Sequence, residues 1–336
     1  KSSRFIGINL EIRVYAGLGI ILMKIGDFEI DMPDPPLQDP HCIAILKPWI
    51  NVGNVGKIVL GRLGKMYGAE QIGQLDRPGK FYDFTRYRPE IRLAGGVRSV
   101  RVPNTKISFA RRPSSNDLVL LELLEPHAFA EDFNDSVIDL LKALNVTRYL
   151  QIGGMYDSVP HSRQLPVTGS ARGWETLPEL KDVKLGGSKY QGPTSMTSQI
   201  AERIRTDMRL ETLSLMVHLP LYLKLDDDYA GSARILKILA GLYGFSPLLP
   251  EIDMGAKQYD QVTPAMIDNP ALKDMVERFE RESDNDISGE SDSNTSGPDS
   301  SSDTAVMLSP EIEQFLSDIS QSDSNSGSDD LEERGK

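Results

Sequence analysis

The stretch with the most chemical promise is Asn51-Val52-Gly53-Asn54-Val55-Gly56-Lys57, where glycines break the chain between an apolar run and an amphipathic one. Such a turn can bring backbone N–H groups of a helix N-terminus close to a phosphate or carboxylate. It departs from the stricter fingerprints. A P-loop has Gly where Asn51 stands and Ser or Thr where Ile58 stands, and a dinucleotide turn has three glycines at fixed spacing. A purely structural role therefore takes precedence: a tight turn that seats a helix against a sheet. Asn51, Gly53, Asn54 and Gly56, with Gly153-Gly154 further along, are the candidate ligand contacts, and Tyr156 and Asp157 share the second loop.

The remaining reactive side chains give less. The chain has no Gly-x-Ser-x-Gly elbow, and the one cysteine, Cys42, sits at the edge of an apolar strand, where cysteine is usually inert core. His41, His127, His161 and His218 are scattered and form no short ligand motif. Asp226-Asp227-Asp228 precedes a helical pattern and reads as cap and first-turn charge rather than a metal cluster. The expectation is no catalytic residue, no metal and no cofactor. Residues 77–112 hold ten Lys and Arg against only Asp83 and Glu90, interleaved with aromatics. Such a mixture suits nucleic acid or a subunit interface. Because residues 1–282 taken together, this segment included, are neutral, the interface is preferred, with Tyr82, Phe84, Arg86 and Arg88 as its candidates.

These residues need elements to hold them. Short apolar runs at 42–46, 71–75, 118–124, 148–152 and 212–217 alternate with helical patterns at 55–67, 129–144, 197–208 and 229–243. That alternation predicts an α/β fold, a three-layer sandwich with a mostly parallel sheet. Two β-like runs, 97–102 and 106–110, flank Pro103-Asn104 and predict a hairpin. A helical segment over 251–282 follows the α/β domain of residues 28–250. Residues 1–27 read as an N-terminal extension outside the fold.

Charge divides the chain further. Of 336 residues 49 are acidic and 37 basic, a net −12, yet residues 283–336 contain 14 of the acidic and only 2 of the basic ones. The whole net charge therefore sits in a Ser-rich C-terminal stretch that lacks the apolar area to offset ordering, and it reads as a disordered tail. Within it, Ser309-Pro310-Glu311 opens a run with Ile312, Phe315, Leu316 and Ile319 at helical spacing, a short helix near 309–319 that needs a surface to dock on. Phe315 and Leu316 are its candidate interface residues. With one cysteine and no apolar stretch near the length of a bilayer, the expectation is a cytoplasmic chain with no membrane contact.

Several segments, taken in order, resemble the proteasome assembly chaperone family, in its branch related to proteasome assembly chaperone 2 found in bacteria and archaea. They are Pro48-Trp49-Ile50-Asn51-Val52-Gly53-Asn54-Val55-Gly56, Phe81-Tyr82-Asp83-Phe84 with Arg88-Pro89, and Glu125-Pro126-His127. Ile152-Gly153-Gly154-Met155, Pro166 to Ala171, Gly192-Pro193-Thr194 and His218-Leu219-Pro220-Leu221-Tyr222 follow. The resemblance implies a nucleoside-phosphorylase-like fold, self-assembly into homo-oligomers, and binding to proteasome α-type subunits. Two functions then compete. One is a non-enzymatic interaction or assembly-chaperone-like protein; the other is a small-ligand enzyme on a phosphorylase-like fold using the loops at 51–56 and 153–157.

Overall fold

The computed structural model describes residues 10–15, 20–113, 115–174, 177–186 and 195–288. The expected tail helix near 309–319, with Phe315 and Leu316, lies outside them. In chain order the elements begin with β1 (Leu10–Tyr15), β2 (Ile20–Ile25), β3 (Phe28–Ile30), β4 (His41–Lys47), α1 (Val55–Tyr67) and β5 (Glu70–Leu75). Next come β6 (Glu90–Ala94), β7 (Val97–Arg101), β8 (Lys106–Ala110), β9 (Leu118–Leu124), α2 (Ala130–Ala143) and β10 (Arg148–Asp157). The rest are β11 (Val167–Arg172), β12 (Lys184–Leu185), α3 (Met196–Arg203), β13 (Glu211–Pro220), α4 (Tyr229–Tyr243), α5 (Pro250–Asp260), α6 (Val262–Asp268) and α7 (Pro270–Ser288).

Among the described residues, eleven strands form one sheet in the order β1-β2-β3-β5-β8-β9-β4-β10-β13-β11-β12, and β6-β7 form a separate ribbon. The sheet is mixed, not mostly parallel as the alternating pattern predicted. Its centre, β9-β4-β10-β13, is parallel. The strands from β1 across to β8 pair antiparallel, as do β8 with β9 and β11 with β13. The reason lies in the connections. β2 reaches β3 through a tight turn at Gly26, whose φ is +55°, and β8 reaches β9 through a short loop, and such links force antiparallel neighbours. Helical crossovers such as β9-α2-β10 return the chain in the same direction.

The predicted hairpin is also placed differently. β7 pairs with β6 through Gly95-Gly96, both at positive φ, whereas β8 joins the large sheet between β5 and β9. Two adjacent glycines in the left-handed region make a tighter turn than Pro103-Asn104. The segment read as an extension contributes β1 and β2 to the sheet edge, and Ile25 is fully buried. At the other end α7 runs to Ser288, past the expected end at Glu282.

Alternation along β4 shows where the core sits. Ile43 and Ile45 pack with Val55, Val59 and Leu63 of α1 and with Ile235, Leu236 and Leu239 of α4. Cys42, Ala44 and Leu46 point the opposite way, to Phe133, Val137 and Leu141 of α2 and Ile200 of α3. Helices thus cover both faces, as a strand apolar at nearly every position requires. Cys42 is fully buried, and burial raises its thiol far above its ordinary range, which disfavours the reactive thiolate. Among the described residues no helix is long and apolar enough to cross a membrane.

Candidate functional site at the strand ends

The loop after β4 is built by close backbone approach. Asn51 bridges in parallel to Gly154, and the Gly154 N–H donates to the Ile50 carbonyl at 2.9 Å. A Cβ on Gly153 would stand 2.5 Å from that same carbonyl oxygen, so only glycine lets the two strand ends meet. Gly53 has φ +57°, and its carbonyl accepts the Asp228 N–H at 2.8 Å.

The polar groups of this loop bond to one another. Asn51 Oδ1 accepts the Lys57 N–H at 3.0 Å at the start of α1, and Asn51 Nδ2 donates to Asn54 Oδ1 at 3.0 Å. Asn54 Nδ2 in turn donates to Asp227 Oδ1 at 2.7 Å. Gly56 approaches closely, a Cβ there standing 2.7 Å from Ile45. Asp228 is buried and caps α4: it accepts from the Gly231 N–H at 2.7 Å and from the Tyr259 hydroxyl at 2.9 Å. Burial raises its carboxyl above the ordinary value. The Tyr156 hydroxyl is pushed up to about 12, by burial first and then by Asp228 and Asp226. Among the described residues no group of three or more His, Cys, Asp or Glu side chains converges as a metal site.

A relay links three neighbouring strands. His218 Nδ1 lies 2.6 Å from Asp157 Oδ2, and His218 Nε2 lies 2.8 Å from Thr168 Oγ1. The neutral tautomer that donates from Nδ1 accepts the threonine proton at Nε2. The hydrogen bond from His218, helped by the Ser158 N–H, holds the Asp157 carboxyl below its usual range. The order hydroxyl, imidazole, carboxylate is that of a nucleophile triad. Thr168, however, is the second residue of β11, paired with Met216 within the sheet and not at the tip of a strand-to-helix elbow, and the relay ties β11 and β10 to β13. Asp157 was legible as a polar loop residue. Its partners, 61 and 11 positions away, were not, because nothing local in sequence marks a contact between strands.

The same end of the sheet carries large apolar side chains in solvent. Trp49 follows β4 and is 61% exposed; Phe129 follows β9 and is 58% exposed. Met155 and Tyr156, at the end of β10, are also exposed. These segments leave the C-terminal ends of three adjacent parallel strands, where α/β sheets present their working surface. The basic, aromatic segment divides by burial. Tyr82 belongs to the core, its hydroxyl 2.6 Å from Thr105 Oγ1, and Phe84 is half-buried. Arg86 and Arg88 are exposed, Arg86 lying 3.9 Å from Asp83.

Comparison with known proteins places this arrangement. The PAC2 family model matches residues 45–266. A crystal structure of a PAC2 family protein from Streptomyces avermitilis superposes with a TM-score of 0.60 at 25% identity, over 70% of this chain and 99% of that one. The proteasome-assembly chaperone homologue of Mycobacterium tuberculosis gives 0.59 at 22%, over 71% and 99%. PbaB of Pyrococcus furiosus, an archaeal proteasome activator, gives 0.54 at 14%, over 71% and 97%. No curated protein matches the chain.

Proposed function

The chain belongs to the PAC2 family, and from that premise we propose that it is an assembly-chaperone-like protein that binds other proteins through the C-terminal ends of its parallel strands. The observation that carries this reading is the set Trp49, Phe129, Met155 and Tyr156, each exposed on a segment that ends or follows one of three adjacent strands. Large aromatic side chains kept in solvent lose hydration cost only when another surface covers them, and such residues dominate protein interfaces. The asparagines of the neighbouring loop are engaged with each other and with Asp227. That engagement favours a protein partner over a small ligand at residues 51–56.

Proteasome α-type subunits are the partner proposed, as the family resemblance implies, and the mycobacterial structure of like fold is that of a proteasome-assembly chaperone homologue. Homo-oligomerisation, a cytoplasmic setting and a three-layer, nucleoside-phosphorylase-like scaffold belong to the same proposal. Two apolar clusters on opposite faces of the sheet support the scaffold. The test is binding of purified α-type subunits to wild type and to the Trp49→Asp and Phe129→Asp variants. Both residues are exposed, so stability should move by no more than about 0.5 kcal/mol. Loss of a hot-spot aromatic is expected to weaken binding by roughly 30-fold or more. Equal binding by all three proteins would refute the assignment of this face.

A further inference from the structure

The β6–β7 ribbon plays no part in the face just described, and its chemistry is unexplained by it. Among the described residues the ribbon pairs only with itself, and Ile91, Leu93, Val97 and Val100 are each more than half exposed, Leu93 to 75%. Its register sets Ile91 opposite Val100 and Leu93 opposite Arg98, giving one apolar face with a guanidinium at its edge. Arg92, Ser99 and Arg101 lie on the other face. A lone two-stranded hairpin is marginal in water and gains stability when its apolar face is covered. A cleft of about 500 Å3 opens at its base, lined by Val100, Arg101, Val102, Gln74, Leu75 and Lys106.

The charge of the ribbon selects the occupant. Arg92, Arg98 and Arg101 outnumber Glu90, and their field reaches the sheet: after burial, Arg101 is the largest cause holding the Lys106 ammonium below its ordinary value. A second copy of the ribbon would set arginines against arginines. The fitting occupant is acidic and apolar together. Residues 309–319 have that chemistry: Ile312, Phe315, Leu316 and Ile319 recur at helical spacing, among Glu311, Glu313 and Asp318. Residues 289–308, between α7 and this segment, span up to about 70 Å when extended, enough to cross the molecule.

We propose that the β6–β7 ribbon is the docking site of residues 309–319 of the same chain, the four apolar residues covering Ile91, Leu93 and Val100 while a carboxylate meets Arg98 on that face, within the positive field of Arg92 and Arg101 behind it. Tethering raises the local concentration of the segment to the millimolar range, so a weak contact suffices. The proposal goes beyond the strand-end face and stands independently of it. Hydrogen exchange of the full-length protein tests it against a chain ending at residue 302 and against the Phe315→Ala/Leu316→Ala variant. Amides of 91–100 should exchange at least ~5-fold faster in both, and in the full chain at high salt, while β4 and β10 stay unchanged. Equal exchange of the ribbon in all three proteins would overturn the proposal. Protection that survives truncation but disappears on dilution would also overturn it, and would assign the ribbon to a second copy.

Discussion

His41 illustrates how one buried side chain sets a pH response. It begins β4, its Nδ1 lies 3.3 Å from the Tyr243 hydroxyl, and its ring packs against Trp174. Burial first, then Arg148 and Arg112, lowers its pKa to about 4, against a smaller opposing pull from Asp39. The unfolded chain takes up this proton near 6.5 and the folded chain only near 4, so between those values the unfolded state binds more protons. Stability is therefore full above pH 6.5 and falls as pH drops toward 4, by an amount on the order of 3 kcal/mol. Urea unfolding of wild type and His41→Phe across that window checks the sign: the variant should have the shallower slope. An identical slope in both would contradict it. Site chemistry at this scale was only partly legible. The unusual spacing of Asn51, Gly53 and Asn54 marked the turn, but the pairing of Asn54 with Asp227 depends on a contact across 173 positions.

At the scale of elements, helix limits were the most legible feature. The repeat of apolar residues over 55–67 and 229–243 coincides with α1 and α4, each closed by a glycine at positive φ, Gly68 and Gly244. Strand direction was not legible, because an apolar run buried on both faces reads alike whether its neighbours are parallel or antiparallel. Only the length and type of each connection decide, and residues 95–96 made a turn where Pro103-Asn104 had looked stronger. The family match ends at residue 266, yet α7 beyond it is part of the core: Leu272, Val276 and Phe279 are buried, and Phe279 stacks on Tyr222 with ring centroids 6.2 Å apart. Phe279→Ala should cost about 3–5 kcal/mol by urea unfolding, as for other buried phenylalanines. A loss below about 1 kcal/mol would mean that α7 is only loosely attached.

For the molecule as a whole, composition located the charge correctly in one stretch but left its use open. The body is close to neutral, residues 77–112 are strongly basic, and residues 283–336 carry the −12. An acidic segment and a basic, apolar ribbon on one chain are complementary in charge, and the docking proposed for them would leave the strand-end aromatics exposed. Those aromatics were invisible to sequence reasoning for a physical reason. A tryptophan or phenylalanine is read as core by default, and only the fold reveals that Trp49 and Phe129 sit where strands end rather than where helices pack.

The measurement that bears most directly on the protein-binding reading is gentle purification of the chain from its native cells, beside its Trp49→Asp variant, with the mass and composition of each complex determined. The predicted result is a stoichiometric assembly containing proteasome α-type subunits, from which the variant loses those subunits while keeping its fold. A wild-type chain that emerges without any protein partner, or carrying a tightly held small molecule in its place, would contradict the account.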